Sequence, residues 1–396
     1  MAKRQERRIG NTNAYTVHNK VSIIRGGAAF FEAIEEIAAN AKYSIHLQTY
    51  IFDENDTGNR VADALISAAK RNVYVYVLLD GFASQKLSAA FITRLRDGGV
   101  QFGYFRPMVL SNVFYLGRRL HHKIIVGDGQ VCMVAGINIS DRYNDMANAP
   151  AWLDWAIRVE GDVARQLNDL CIRVWNLSAR RKKCLATAPP ELQVPETECL
   201  VRVRRNDWVY THTQITRSYR ELFNAAHKHV TLMTSYFWPP FKLLKRMAAA
   251  SRRGVKIRLI LTGRADVPFA KYAERYLYPW LFRHNIEVYE YDRNVLHGKV
   301  ATRDNEWLTA GSYNVNNISA FASVELNLDI NDAALATELT EKLQTIINDD
   351  CTQVTSDSFT SSNNMLKRFG YYLSYRFVHL AFYVFTFYFT QKRDRD

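Results

Sequence analysis

Cysteine is scarce in this chain. The five residues, Cys132, Cys171, Cys184, Cys199 and Cys351, are odd in number, widely spaced and free of any Cys-x-x-Cys pair. That pattern excludes a disulfide framework and a cysteine-built zinc site, and it suits a reducing compartment. A bilayer span needs a run of about 20 apolar residues, and the most apolar stretch, near the C-terminus, falls short of that. The basic start, Met1-Ala2-Lys3-Arg4, leads into polar residues where a signal peptide needs an apolar core, so the body is expected to be cytoplasmic. Acids are outnumbered: 39 Asp and Glu face 52 Lys and Arg, a formal charge of +13 that attracts phosphate-bearing partners, nucleic acid and anionic lipid alike. With 48% hydrophobic residues against 23% charged, wholesale disorder is excluded as well.

What is present is a duplication. A chain of 396 residues exceeds the usual single domain, and its halves align. Tyr43–Phe52 (YSIHLQTYIF) matches His229–Trp238 (HVTLMTSYFW), each reading as a buried strand. A helix-period stretch follows in both, then a second apolar run, Val73–Leu79 and Val255–Leu261, leading to a glycine at Gly81 or Gly263. Strand, helix and strand in series predict parallel pairing with right-handed crossovers. Residues 179–200, with the basic run Arg180–Lys183 and Pro189, Pro190 and Pro195, read as a linker. The expected division is a first half over 1–178, the linker, a second half over 201–350 and an aromatic-rich C-terminal segment over 351–396.

Each half then reaches a His-x-Lys strand: His121-His122-Lys123 and His297-Gly298-Lys299. Residues two apart on a strand share a face, so imidazole and ammonium can meet one phosphate. Asp128 and Asp304 lie an odd count from these residues, which would put them on the opposite face of an unbroken strand; they are read as structural. Six residues on, each half has a small-residue turn and an asparagine, Ala135-Gly136-Ile137-Asn138 and Gly311-Ser312-Tyr313-Asn314. Glycine would let backbone approach a phosphate, and the Asn138 and Asn314 amides could donate to its oxygens without adding charge. One H-x-K-x4-D match is weak evidence; two, at the same point of a repeat and with the same downstream spacing, are strong.

On these residues the chain resembles the phospholipase D superfamily, whose signature is H-x-K-x4-D-x6-G-[GS]-x-N, from about Val21 to Asp350. In detail it looks most like the shorter bacterial cardiolipin synthases, through Gln48-Thr49-Tyr50-Ile51-Phe52, Arg118-Arg119-Leu120-His121-His122-Lys123 and Tyr289-Glu290-Tyr291. Ala135, where glycine is usual, and Tyr313 with Val315-Asn316-Asn317 depart from the family's wording. The resemblance implies an α/β fold of two fused, pseudo-symmetric α-β-α halves, each with a mixed, largely parallel sheet, and one active site at their interface. It implies a phosphatidyl transferase that makes cardiolipin from phosphatidylglycerol through a phosphohistidine and releases glycerol. Hydrolysis of phospholipid and a nuclease of the same superfamily are the alternatives. His121 is the implied nucleophile and His297 the general acid and base, although the motifs are alike enough to exchange roles. Asp154 and Glu325 match the family's downstream acids, and Glu325 is expected to orient His297. No cofactor and no metal are expected, since lysines and asparagines stand in for metal at the phosphate oxygens.

The C-terminal stretch Met365–Thr390 carries thirteen residues, Phe377 to Phe389, with only His379 and Thr386 clearly polar. As a helix it places Tyr372, Arg376, His379 and Tyr383 on a semi-polar stripe and Leu373, Phe377, Leu380, Val384 and Phe387 on another face. This predicts a helix lying in a membrane interface through Arg376, Phe377, Tyr383, Phe385 and Phe387, or else one docked on the protein's own body. The expected partner is an anionic phospholipid membrane with phosphatidylglycerol as substrate, approached peripherally or monotopically at the cytoplasmic face. No nucleic acid partner is expected, and a homo-oligomer is left open.

Overall fold

A computed structural model describes residues 14–105, 118–178, 194–207, 212–265, 267–316 and 323–390, with side chains omitted at 379 and 381–390. Most of the linker, including Arg180–Lys183, lies outside the described residues, as do the side chains of Tyr383, Phe385 and Phe387.

The first half contributes β1 (Thr16–Arg25), β2 (Ser44–Thr49), β3 (Tyr74–Asp80), β4 (Gln101–Phe105), the short β5 (Arg119–Leu120), β6 (Lys123–Gly127), β7 (Val131–Ala135) and β8 (Trp155–Gly161). Its helices are α1 (Ala28–Asn40), α2 (Asp56–Lys70), α3 (Ala89–Asp97) and α4 (Asp162–Ser178). The second half repeats the plan with β9 (Glu198–Asp207), the short β10 (His212–Thr213), β11 (His229–Thr234), β12 (Lys256–Thr262), β13 (Ile286–Tyr291), β14 (Lys299–Arg303), β15 (Trp307–Gly311) and β16 (Ser323–Asn331), and adds β17 (Cys351–Val354). Its helices are α5 (Gln214–Ala225), α6 (Phe241–Arg252), α7 (Pro268–Arg275), α8 (Tyr278–Arg283), α9 (Ala333–Asp350), α10 (Ser356–Ser362) and α11 (Met365–Thr390).

The strand orders match. The first sheet runs β4-β3-β2-β6-β7-β8-β1, and the second runs β13-β12-β11-β14-β15-β16-β9. The mixed α/β architecture is as expected, but the sheets are not largely parallel. Only β2-β3-β4 and β11-β12-β13 pair in parallel within them; the remaining neighbours are antiparallel. The cause is local. The motif strands β6 and β14 end in three-residue hairpin loops, 128–130 and 304–306, whose first two residues, Asp128-Gly129 and Asp304-Asn305, have φ of 55°, 64°, 54° and 59°, a backbone that turns the chain straight back on itself.

Asp128 and Asp304 therefore start turns rather than continue strands. Asp128 accepts the backbone N–H groups of Lys42, Tyr43 and Ser44 at 2.8 Å each. Asp304 accepts those of His227, Lys228 and His229, also at 2.8 Å, and these bonds outweigh partial burial to lower its pKa. Each motif aspartate thus ties the motif hairpin to the start of the neighbouring strand.

One apolar core joins the halves: α4 and α9 pack there with the inner faces of β7, β8, β15 and β16. Two further cores lie under the outer helices, α1 to α3 in one half and α5, α6 and α8 in the other. The last segment begins inside the body, since β17 pairs with the edge strand β13, and Phe359 and Tyr371 are buried in the second outer core.

Candidate active site

The two histidines sit just before their strands, where the chain crosses to the other half. The His121 and His122 amides donate to the Val324 carbonyl at 3.0 and 2.9 Å, and the His297 amide donates to the Leu153 carbonyl at 2.8 Å. That crossing delivers each histidine to a carboxylate of the opposite half. His121 Nδ1 lies 2.9 Å from Glu325 Oε2, and His297 Nδ1 lies 2.6 Å from Asp154 Oδ2. The expectation that Glu325 orients His297 is corrected: Glu325 serves His121. The spacing within each half could not reveal this, because β16 meets β5 in parallel and carries its acid across the interface.

Both carboxylates are buried, at 0% and 1% exposure. Glu325 also accepts the Ser312 hydroxyl, whereas Asp154 accepts its own neighbour's amide, Trp155 N–H, at 2.8 Å. Gly136 occupies the position corresponding to Ser312, and a Cβ there would stand 2.4 Å from an Asp154 oxygen. A Cβ on Gly311 would press on the Leu326 carbonyl. The motif's two glycines therefore make room for the Asp154 carboxylate and for the strand that carries Glu325. Burial is the main force raising the Asp154 pKa, to about 6.

Lys123 and Lys299 are buried beside the histidines. Lys123 donates to the His121 carbonyl at 2.5 Å, and Lys299 to the His297 carbonyl and, at 3.3 Å, to the Ser235 hydroxyl. Burial lowers the Lys123 pKa to about 7; Glu325 opposes the change and Lys299 adds to it. Burial likewise depresses His121, against the pull of Glu325, which favours a neutral imidazole whose Nδ1–H is held by the carboxylate. Lys299 acts on His121, and Lys123 on Asp154, so the half-sites share one electrostatic field.

The surroundings of the two imidazoles differ. Tyr50 packs edge-on against His121 at 4.8 Å between ring centroids, and among the described residues no protein group bonds its Nε2. At His297, the Tyr143 hydroxyl stands 3.4 Å from Nε2, with the Trp152 ring 6.2 Å away. The Asn138 amide holds Tyr143, donating to its hydroxyl at 3.0 Å while accepting from Ile51 N–H at 3.1 Å. Asn138 thus positions a phenol, and Asn314 is buried with its amide oxygen unpartnered among the described residues. Tyr143, Trp152 and Ser235 went unread in the sequence. Of these only Ser235, beside the aligned tyrosine of the repeat, carried any signal.

His122 turns away to Gln48, Nε2 to Oε1 at 2.9 Å. Arg118 is committed to a buried two-pronged pair with Asp207, at 3.0 and 2.7 Å, so it is not available to a headgroup. Asp53–Gly58, which imitates a calcium loop, instead supplies the cap of α2, where the Asn55 side chain accepts Gly58 N–H.

Two histidine–lysine pairs meeting from symmetric halves, each imidazole braced by a buried carboxylate, define a phospholipase-D-type phosphatidyltransferase. The family model described as "Cardiolipin synthase, PLD-like domain" matches residues 34–155 and 219–347, and the chain belongs to that family. It is 37% identical to cardiolipin synthase B of Salmonella typhimurium and 34% identical to that of Escherichia coli, in each case over 85% of this chain and 82% of the relative. Among solved structures it is similar to phosphatidylserine synthase of Haemophilus influenzae, with a TM-score of 0.69 at 16% identity over 96% of this chain and 97% of the other, which shows the fold.

Proposed function

We propose that the chain makes cardiolipin from two molecules of phosphatidylglycerol. The carrying observation is the pair of crossed histidine–carboxylate contacts within one electrostatic site, with Nε2 of His121 open. In the first step His121 Nε2 attacks phosphorus, the bond to the glycerol oxygen breaks, and the His297 imidazolium gives that oxygen its proton. In the second, neutral His297 takes the proton of a hydroxyl on another phosphatidylglycerol. That oxygen attacks phosphorus and frees His121. Water in place of the alcohol would yield phosphatidic acid instead.

Lys123, Lys299 and Asn314 serve the phosphoryl oxygens in a buried setting where charge acts strongly, while Asn138 holds Tyr143. Tyr143 steadies Nε2 of His297 between its two proton transfers. Asp128, Asp304, Gly136, Gly311 and Ser312 hold the frame.

The site's substrates require a membrane, and the second helix face predicted for α11 supplies a contact. Its Leu373, Phe377 and Leu380 are exposed, while Tyr371 and Ser374 are buried against the body. Among the described residues no helix is long and apolar enough to cross a membrane. We place the protein peripherally or monotopically at the cytoplasmic face, on anionic lipid. Vesicles of phosphatidylglycerol assayed for cardiolipin and glycerol, beside a plasmid-nicking assay, test the reading: cardiolipin with stoichiometric glycerol supports it, and phosphatidic acid alone or nicked plasmid overturns it.

A further inference from the structure

The helix α11 does not stand alone. It packs along α7 through aromatic pairs, Phe269 with Phe377 and Tyr272 with Tyr371 edge-on and Tyr276 with Tyr375 tilted, at centroid distances of 5.4, 5.3 and 4.5 Å. Phe269, Tyr272 and Tyr276 remain 43%, 50% and 38% exposed, and the neighbouring α11 residues Phe369, Leu373 and Phe377 are half or more exposed. Phe241, at the start of α6, is 66% exposed; it follows closely on Trp238, which packs with Ala270 and Ala273 of α7. Two helices and a helix start thus present aromatic and aliphatic side chains to the outside, where a soluble surface would be polar.

The charge around them has one sign. Across α6, α7, α8 and α11 the sole acid is Glu274, and it is buried against Lys271 at 2.7 Å. The exposed charges on these helices, among them Lys242, Lys245, Lys367, Arg368 and Arg376, are all basic. In the first half, by contrast, α1 alone carries Glu32, Glu35 and Glu36. The face also adjoins the chemistry: Tyr375 and Val378 of α11 and Tyr236 all pack against the cluster of Trp238, Ala270 and Ala273, and Ser235, the residue before Tyr236, accepts from Lys299.

We propose that α7, the start of α6 and the exposed side of α11 form one docking face whose occupant is a bilayer surface carrying anionic lipid, and that this face sets the active site at the membrane. It rests on the lipid-transfer reading for its choice of occupant. Aromatics enter the interface, and the basic rim meets the headgroups.

The test uses the full chain with α11 intact. One variant carries Phe241→Ser and Leu373→Ser, and a second carries Lys242→Glu and Lys245→Glu. All four side chains are solvent-facing, so the thermal unfolding midpoint should hold in both. Partitioning onto vesicles of phosphatidylglycerol and phosphatidylcholine is measured by sedimentation, without turnover. The apolar variant should partition about tenfold more weakly, because interfacial binding scales with the apolar area inserted. The charge variant should lose binding on the mixed vesicles and little on pure phosphatidylcholine. Wild-type partitioning in both variants overturns the proposal. So does a wild-type dimer in lipid-free sedimentation velocity that the apolar variant converts to monomer, since a second copy would then cover the face. Failure to make cardiolipin would sink the lipid-transfer reading yet leave partitioning measurable.

Discussion

In the first half the carboxylate offered to the opposite histidine is Asp154, set against the bare backbone of Gly136. In the second half it is Glu325, reached by the Ser312 hydroxyl. Asp154 is pushed up to about 6 by burial. One histidine is left open at Nε2 and the other is approached by Tyr143. A duplicated frame therefore holds two half-sites that differ in the second donor to the carboxylate, in reach and in what faces the reacting nitrogen. That difference is where separate roles for two near-identical motifs can arise. The outer surfaces diverge further: α1 and α2 of the first half bear exposed acids, whereas the exposed charges on α6, α7, α8 and α11 of the second are all basic.

The largest expected effect treats the halves alike. His121→Ala and His297→Ala should each lower phosphatidyl transfer about a thousandfold or more with the fold unchanged by circular dichroism, because each removes a bond-making or proton-moving group. Near-wild-type transfer in either would break the shared-site picture. Next, the crossed pairing is separable by leaving group. Glu325→Gln and Asp154→Asn should each cost about 10- to 100-fold on lipid, as the loss of an orienting carboxylate does at other histidine sites. With a nitrophenyl phosphodiester, whose leaving group needs no proton, the first-step burst should recover in Asp154→Asn but not in Glu325→Gln. Equal recovery would mean that the carboxylates do not divide the roles.

The pH profile should show the electrostatic difference. Asp154 gains a proton as pH falls through about 6 and then no longer holds His297 as an anion, while Lys123 loses its charge as pH rises through about 7. Activity in kcat/KM should therefore be bell-shaped and narrow, falling about tenfold per pH unit beyond each limb. Asp154→Asn should abolish the acid limb and spare the basic one. The smallest effect is expected at the added groups: Tyr143→Phe and Ser312→Ala should each slow kcat about threefold, in line with the loss of one neutral hydrogen bond. Chelation should leave activity intact, with buried lysines carrying the positive charge; complete, metal-reversible loss in EDTA would contradict this.

Much of this was legible because repetition amplifies weak signals. Period-two and helical patterns placed β2, α2 and β3 and their copies, and the odd spacing of Asp128 and Asp304 set them apart from the histidines; in the structure they cap strand starts through three N–H groups each. The antiparallel share of the sheets was missed, although the tight loops that open with Asp128-Gly129 and Asp304-Asn305 announce a hairpin once read as left-handed positions.

The duplication, the paired histidines and lysines, and the need for an acid near each are all readable along the chain, since they rest on local spacing and chemistry. Only the tertiary structure decided which acid meets which histidine, that Asn138 spends its amide on Tyr143, and that α7 lies beside α11. The histidine–carboxylate pairings join residues more than a hundred positions apart, His121 with Glu325 and Asp154 with His297. They are fixed by how two sheets share one core, and no local pattern encodes that packing.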